Sequence, residues 1–256
     1  MDSKLSKKNK LFFVLAGFFL TNAMLAEIIG AKIFSLEKVL GIQPAGIRFF
    51  GSYVLDFNLT AGVLLWPVVF TVSDIINEYF GREGVKRISY ATAGFIAFAF
   101  VAIYISSHLP PADFWLDINK TDDKGNAFNI NYAYSVIFRQ GLGIILGSLV
   151  AFLIGQIIDA TAFHEIRKVT GEKMIWLRAV GSTVISQLID SFVVLIIAFY
   201  WFGNWPLILV IAVGIMNFIY KITTAILLVP ALYLVHYLID QYLGKEKSDF
   251  YQGSEL

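Results

Sequence analysis

Polar side chains that could bind a ligand or carry a charge lie inside long apolar stretches of this sequence. In the stretch from 180 to 202, Asp190, Gln187 and Ser186 lie towards one side of a helix, and the opposite side is aliphatic. Hydroxyl groups in such a stretch can simply hold helices together. A carboxylate and an amide near its middle are costly to bury in an apolar medium, so they predict a functional polar site.

Lys221 lies in the next apolar stretch, and two interpretations of it remain open. It could form a structural ion pair with Asp190 or with a carboxylate of the second stretch, or it could contact a substrate directly. In both cases the ammonium group must face the interior of a helix bundle, because an unpaired charge at that depth is expensive.

Two further polar pairs end apolar stretches. Asp74 and Glu78 lie about one helical turn apart at the end of the second stretch, and Gln156 and Asp159 end the fourth. Paired carboxylates can carry protons or bind a cation. At a helix end they can equally be solvated and pair with nearby basic residues.

The surrounding sequence is that of a membrane protein. Apolar residues make up 57% of the 256 residues and charged residues 15%, against roughly 45–50% and about 25% in soluble domains. Mean hydropathy is +0.70. With no cysteine there is no disulfide, zinc thiolate or thiol nucleophile, and a net charge of +1 gives no basis for nucleic-acid binding. Phosphate-loop, H-E-x-x-H and G-x-S-x-G motifs are missing, so we expect no enzyme, no cofactor and no metal site.

The apolar stretches predict an all-α integral membrane protein, a single bundle of six transmembrane helices over 11–238. Residues 1–10 and 239–256 are then cytoplasmic tails, because thirteen Lys and Arg residues lie on the side of the termini and five on the other side. The acidic loop 108–131 is predicted to be external. The six spans are predicted at about 11–31, 55–76, 88–107, 133–158, 180–202 and 207–238.

Four sequence blocks together resemble one family, the queuosine precursor transporters (the VUT family). The resemblance covers about 20–240, and one departure is Ala179, where we expect an asparagine. The blocks are Ser73-Asp74-Ile75-Ile76-Asn77-Glu78 with Gly81; Gly155-Gln156 with Asp159, Phe163 and Arg167; Arg178 with Ser182-Thr183 and Ser186-Gln187-Leu188-Ile189-Asp190; and Tyr220-Lys221 with Pro230.

The resemblance implies a multi-pass importer in the inner (plasma) membrane. Its substrates would be 7-deazaguanine precursors, namely the 7-cyano and 7-aminomethyl forms and in some members queuine, which supply a modified nucleoside of transfer RNA. Its fold would resemble the substrate-binding subunits of energy-coupling-factor transporters. We expect substrate binding at Asp190, Gln187, Ser186, Gln156, Asn22 and Lys221, and coupling or gating at Asp74, Glu78, Asp159, Arg139 and Arg178.

The alternative is a substrate-binding subunit that docks onto a separate ATP-driven module of an energy-coupling-factor transporter for a vitamin or nucleobase. That interpretation needs a docking face of small residues, for which Ala26 and Gly30 are candidates on the first span.

The expected partners are a small heterocyclic substrate, the lipid bilayer and a second copy of the chain in a homodimer.

Overall fold

Apolar helices form most of the computed structural model, which describes residues 6–30, 32–49, 53–138, 142–171 and 174–244. Five helices in these ranges are long and apolar enough to cross a membrane. Each satisfies its own backbone hydrogen bonds, as a chain in hydrocarbon must. The protein is therefore a multi-pass membrane protein. The five helices are Lys7–Ile29, Trp66–His108, Ile144–Thr170, Ile175–Trp201 and Leu207–Leu227.

The complete element order adds short segments between these helices. It is α1 (Lys7–Ile29), β1 (Ile33–Ser35), α2 (Leu36–Leu40), β2 (Ile47–Phe49), β3 (Tyr53–Leu55), β4 (Asn58–Thr60), a 3-10 turn (Ala61–Leu64), α3 (Trp66–His108), α4 (Asp113–Ile118), α5 (Ile130–Phe138), α6 (Leu142–Thr170), α7 (Ile175–Leu195) with a π-helical extension (Ile196–Trp201), α8 (Leu207–Leu227) and α9 (Val229–Leu243).

Helix α3 turns sharply at Gly81, whose backbone has φ 69° and ψ 178°. Only glycine adopts this conformation without strain. A β-carbon built on Gly84 would lie 3.5 Å from Cγ2 of Ile76, although eight residues of continuous helix span about 12 Å. The chain therefore folds back at Gly81, and α3 consists of two packed segments, 66–80 and 82–108.

Both segments of α3 pack against α1. The rings of Phe12 and Phe80 lie 4.9 Å apart at the end where α3 turns. Near the other end of α1, Met24 and Phe100 line the same small crevice. Helix α1 thus runs beside the whole hairpin, and their apolar side chains form one core with α6 and α7.

The predicted second span was wrong at its start. We expected a helix from about 55, but β3, β4 and the 3-10 turn occupy residues 53–64 and the helix begins at Trp66. Strand β1 pairs antiparallel with β4, and β2 with β3. The Phe57 N–H donates to Oε1 of Glu37 at 2.6 Å, which ties α2 to this region and lowers the pKa of the Glu37 carboxyl.

The predicted last span, 207–238, is interrupted in the structure. Helix α8 ends at Leu227, and α9 begins at Val229 with Pro230 in its first turn. Proline has no N–H and cannot form the backbone hydrogen bond of a continuous helix, so the break between α8 and α9 lies just before Pro230. Helix α9 then packs on the first segment of α3, where Tyr79 Oη lies 2.8 Å from Nδ1 of His236.

Helices α6 and α7 pack closely along their length, and Gly147 allows part of this approach. A β-carbon at Gly147 would lie 3.2 Å from the Val194 carbonyl oxygen. Small residues commonly permit such contacts between membrane helices. This packing brings the polar residues that end the fourth predicted span next to those of the fifth.

Candidate functional site

An open cavity lies between the first segment of α3 and helices α7, α8 and α9. A concave, mostly apolar lining with a few polar groups is typical of small-molecule sites. Aromatic side chains from two helices contribute to its wall, and a few polar groups interrupt an otherwise apolar lining. The aromatic residues are Trp66, Phe70 and Tyr220, and the polar ones are Thr71, Asp74, Thr183, Gln187 and Lys221.

Gln187 brings an unused amide to this cavity. The residue is 1% exposed, and neither its Oε1 nor its Nε2 has a hydrogen-bond partner among the described residues. Asp74 lines the same cavity, is 4% exposed, and has its Oδ1 without a donor. Buried polar groups normally have partners, so one acceptor–donor amide and one carboxyl remain available to a ligand.

Lys221 forms an ion pair with Asp190 across the α7–α8 interface. This confirms the expectation that the lysine lies against an acidic group. Lys221 lines the cavity, whereas Asp190 does not. Asp190 therefore influences the cavity by holding Lys221 in place and by balancing its charge.

A buried polar layer lies beside the cavity, where α3, α6 and α7 meet. Ser73 donates to Oε1 of Gln156 at 2.8 Å, and Ser186 donates to Oδ1 of Asp159 at 3.0 Å. Asn77 donates to the Ala160 carbonyl at 2.9 Å. Gln156, Asp159 and Ser186, which we assigned from the sequence, thus belong to this layer and are not among the cavity-lining residues.

Asp74 connects the layer to the cavity. Its carboxyl lies close to the Asp159 carboxyl, because the bonds from Ser73 to Gln156 and from Asn77 to Ala160 hold this part of α3 against α6, and the same residue lines the cavity. A ligand that contacts Asp74 therefore contacts a residue that is itself close to a second buried carboxyl, Asp159 on α6.

Glu78 and Arg178 form a separate ion pair at the end of the first segment of α3, near Gly81. Arg178 Nη2 lies 2.9 Å from Oε2 of Glu78, and both side chains are almost fully buried. Arg167 donates to the Glu78 carbonyl at 3.1 Å, and the Arg178 guanidinium lies 5.5 Å from the centre of the Phe163 ring. These contacts fasten α3, α6 and α7 together, and neither Glu78 nor Arg178 lines the cavity.

Among the described residues, the assigned Asn22 also lies away from the cavity. Asn22 is half-buried on α1, donates to the Phe18 carbonyl at 2.8 Å, and does not line the cavity. Arg139 lies outside the described residues. Conversely, sequence reasoning gave no role to Trp66, Phe70 or Tyr220, because an aromatic residue in an apolar stretch carries no signal that separates a cavity wall from ordinary packing.

A flat heterocycle with hydrogen-bonding edges suits these groups. Aromatic walls can stack on a planar ring. Gln187 can donate and accept at once, an ionised Asp74 can accept two N–H bonds, and Lys221 can donate to a carbonyl oxygen.

Comparison with known proteins covers the segments that form the cavity and the buried polar layer. The family model described as "Putative vitamin uptake transporter" matches residues 60–235, which include every polar residue of the cavity and of the layer. The chain belongs to this family. It is a family of transporters, not of enzymes.

Three curated relatives match over much of their length. The chain is 28% identical over 181 residues to the "Probable queuosine precursor transporter" of Bacillus subtilis, covering 69% of this chain and 72% of that protein. It is 25% identical over 184 residues to the protein of the same name from Haemophilus influenzae, covering 69% and 68%. It is 24% identical over 147 residues to the "Queuosine precursor transporter" of Escherichia coli, covering 57% and 58%. No solved structure matches the chain.

Proposed function

We propose that this chain imports queuosine precursors, namely 7-cyano-7-deazaguanine, 7-aminomethyl-7-deazaguanine or queuine, for salvage into transfer RNA modification. The observation that carries the proposal is the unpartnered amide of Gln187 in an aromatic cavity that Asp74 also lines. The names of the three relatives support the same substrate class.

The edge of a deazaguanine is complementary to these groups. Its N1–H and exocyclic N2–H₂ are donors beside the O6 acceptor. Asp74 accepts from the donors, and Gln187 or Lys221 donates to O6. Trp66, Phe70 and Tyr220 supply faces on which the bicyclic ring stacks.

We further propose six membrane crossings in the inner membrane, with both termini in the cytoplasm. The crossings are α1, the two segments of α3, α6, α7 and α8. The turn at Gly81 supports this count because it divides the 43-residue helix into two antiparallel segments. An even number of crossings agrees with the Lys and Arg bias of the loops. A bundle of six such helices also agrees with the expected resemblance to the substrate-binding subunits of energy-coupling-factor transporters.

The docking-subunit alternative is less well supported. Ala26 was the candidate docking residue of α1, yet it is 1% exposed, and its carbonyl oxygen would lie 2.5 Å from a β-carbon on Gly62. The small residue therefore serves packing within the chain and is not free to receive a partner.

Uptake in cells tests the proposed function. The chain is expressed in cells that lack both precursor synthesis and their own importer, and each precursor is supplied in turn. We expect the modified nucleoside to reappear in transfer RNA with at least one precursor. If no precursor restores it although the protein is present in the membrane, the proposed function is wrong.

A further inference from the structure

Two buried carboxyls meet behind the substrate cavity. Asp74 on α3 is 4% exposed and Asp159 on α6 is 0% exposed. Ser73 donates to Gln156 at 2.8 Å and Asn77 donates to the Ala160 carbonyl at 2.9 Å, so the α3–α6 contact holds the Asp74 and Asp159 carboxyls close together. Oδ1 of Asp74 and Oδ2 of Asp159 have no donor among the described residues.

No cation in the described part of the chain pairs with either carboxyl. The nearest basic groups on α6 and α7 are committed to Glu78: Arg178 lies 2.9 Å from its carboxylate, and Arg167 lies at 3.9 Å and donates to its backbone carbonyl. Since Glu78 already balances the charge of Arg178, that pair leaves no compensation for Asp74 and Asp159.

The groups from the other neighbouring helices are neutral hydroxyls or are paired elsewhere. On α7, Ser186 donates to Asp159, and Ser182 donates to the Ala179 carbonyl. The charged residues farther away have their own partners: Lys221 of α8 with Asp190 of α7, His236 and Asp240 of α9 with Tyr79, and Glu27 of α1 with Ser148.

Two carboxylates in contact without a cation repel each other strongly in a medium of low dielectric constant. One proton converts the repulsion into a carboxyl–carboxylate hydrogen bond. It also supplies the donor that the two unpartnered oxygens lack. The contact between Asp74 and Asp159 is therefore consistent with one bound proton.

We propose that Asp74 and Asp159 hold one exchangeable proton between them and that this proton is carried inward with the substrate. The inference rests on the proposed function, because Asp74 is also a wall residue of the substrate cavity. With the proton bound, Asp159 holds Asp74 in place beside Gln187. Without it, the two carboxylates separate and the cavity loses its acceptor. Proton binding and substrate binding then strengthen each other, and the effect is reciprocal.

The linkage is tested with purified protein and 7-cyano-7-deazaguanine, whose nitrile group does not ionise. We expect the affinity of the wild type to fall by up to about tenfold per pH unit above the titration of the pair, as linkage to one proton requires. In weakly buffered solution, binding should take up protons. In proteoliposomes, an acidic exterior should drive accumulation, and a protonophore should abolish it.

Asp159→Asn separates this inference from the proposed function. The amide that this substitution introduces can donate to Asp74 permanently in place of the proton, and residue 159 does not line the cavity. We expect this variant to bind the substrate with an affinity independent of pH, to take up no proton and to lose accumulation driven by the pH gradient. Asp117→Asn in the exposed helix α4 is the matched control and should behave as the wild type.

Infrared spectra of the substrate-free protein test the shared proton independently. The difference spectrum between the wild type and Asp159→Asn should contain the carbonyl band of a protonated carboxyl, and the difference between the wild type and Asp117→Asn should not, since bands of other carboxyls cancel in both. Absence of the band from the first difference spectrum overturns the inference. Wild-type protein that binds the precursor with a pH-independent affinity overturns the coupling alone, whereas wild-type protein that binds no precursor at any pH overturns the proposed function and the coupling together.

Discussion

Gln187 combines deep burial with two unpartnered amide atoms, and such a group destabilises the substrate-free protein. We therefore predict that Gln187→Leu leaves the free energy of unfolding unchanged or raises it. The same variant should weaken binding of 7-cyano-7-deazaguanine by roughly fivefold to tenfold, because about 1 kcal/mol of hydrogen bonding to the ring is lost. Unfolding in detergent and equilibrium binding measure the two effects.

Gln156→Leu is the matched comparison for this prediction. Gln156 accepts a hydrogen bond from Ser73 in the buried layer, so its loss leaves a buried hydroxyl unpaired and should lower stability by about 1–3 kcal/mol. If Gln187→Leu lowers stability as much as Gln156→Leu and leaves binding unchanged, Gln187 is a structural residue and not a substrate ligand.

The ion pair between Lys221 and Asp190 invites a double-variant test. Lys221→Met or Asp190→Asn alone leaves one charge without its partner, and breaking a buried pair costs about 3–5 kcal/mol, less here because both side chains are partly exposed. The double variant should regain most of the stability, since no unpaired charge remains.

Precursor binding to the double variant decides between the two interpretations of Lys221. We expect stability to recover while affinity stays low, because the ammonium group that faces the cavity is missing. Full recovery of affinity would assign Lys221 a purely structural role.

At the residue scale, the sequence predicted which polar side chains are buried but not which of them share a surface. Helical periodicity places Asp190 and Gln187 towards one side of α7, yet it cannot show that Lys221 stands between Asp190 and the cavity. Nor could it show that Asp74 meets Asp159, because that contact joins residues 85 positions apart on different helices.

At the scale of elements, the turn at Gly81 determines how α3 is built. An alanine at φ 69° and ψ 178° would be strained by about 1–3 kcal/mol, although no atom lies within 4 Å of the added methyl group. We predict that Gly81→Ala destabilises the protein by this amount and weakens the packing of α3 on α1.

Gly94→Ala is the matched control within the same helix. Gly94 also has open space around a β-carbon, but its backbone is helical, so alanine there should be neutral or slightly stabilising. Unfolding of both variants in detergent measures the difference. Equal stabilities would show that the backbone at Gly81 is not constrained.

Hydropathy located most of the long helices, but the fourth span, predicted at 133–158, was wrong, because α6 runs over Leu142–Thr170 and continues past the apolar stretch into charged residues. Hydropathy also failed where the apolar stretch is not helical. Residues 53–64 are as apolar as a helix start, but they form short strands and a 3-10 turn. A short apolar run does not distinguish strand from helix. The strand pairing of β1 with β4 depends on residues before and after the intervening hairpin, which periodicity within one stretch does not show.

At the scale of the whole molecule, the orientation in the membrane can be tested with a single cysteine because the chain has none. Lys124 is exposed in the loop between α4 and α5, whereas neighbouring Gly125 has φ +81° and would be strained by a side chain. We predict that Lys124→Cys reacts with an impermeant thiol reagent in intact cells. A cysteine in the 1–10 tail, at Lys8, should react only after permeabilisation, and the reverse pattern would invert the topology.

Transport by the chain alone is the most direct test of the central claim. Liposomes that contain only this purified protein are given labelled 7-cyano-7-deazaguanine, and uptake is compared with protein-free liposomes and with Gln187→Leu. A self-contained importer predicts saturable uptake into the lumen, reduced in the Gln187 variant and competed by unlabelled precursor. Binding of the precursor without any uptake, under every imposed gradient, would contradict this account and favour a binding subunit that requires a separate energising module.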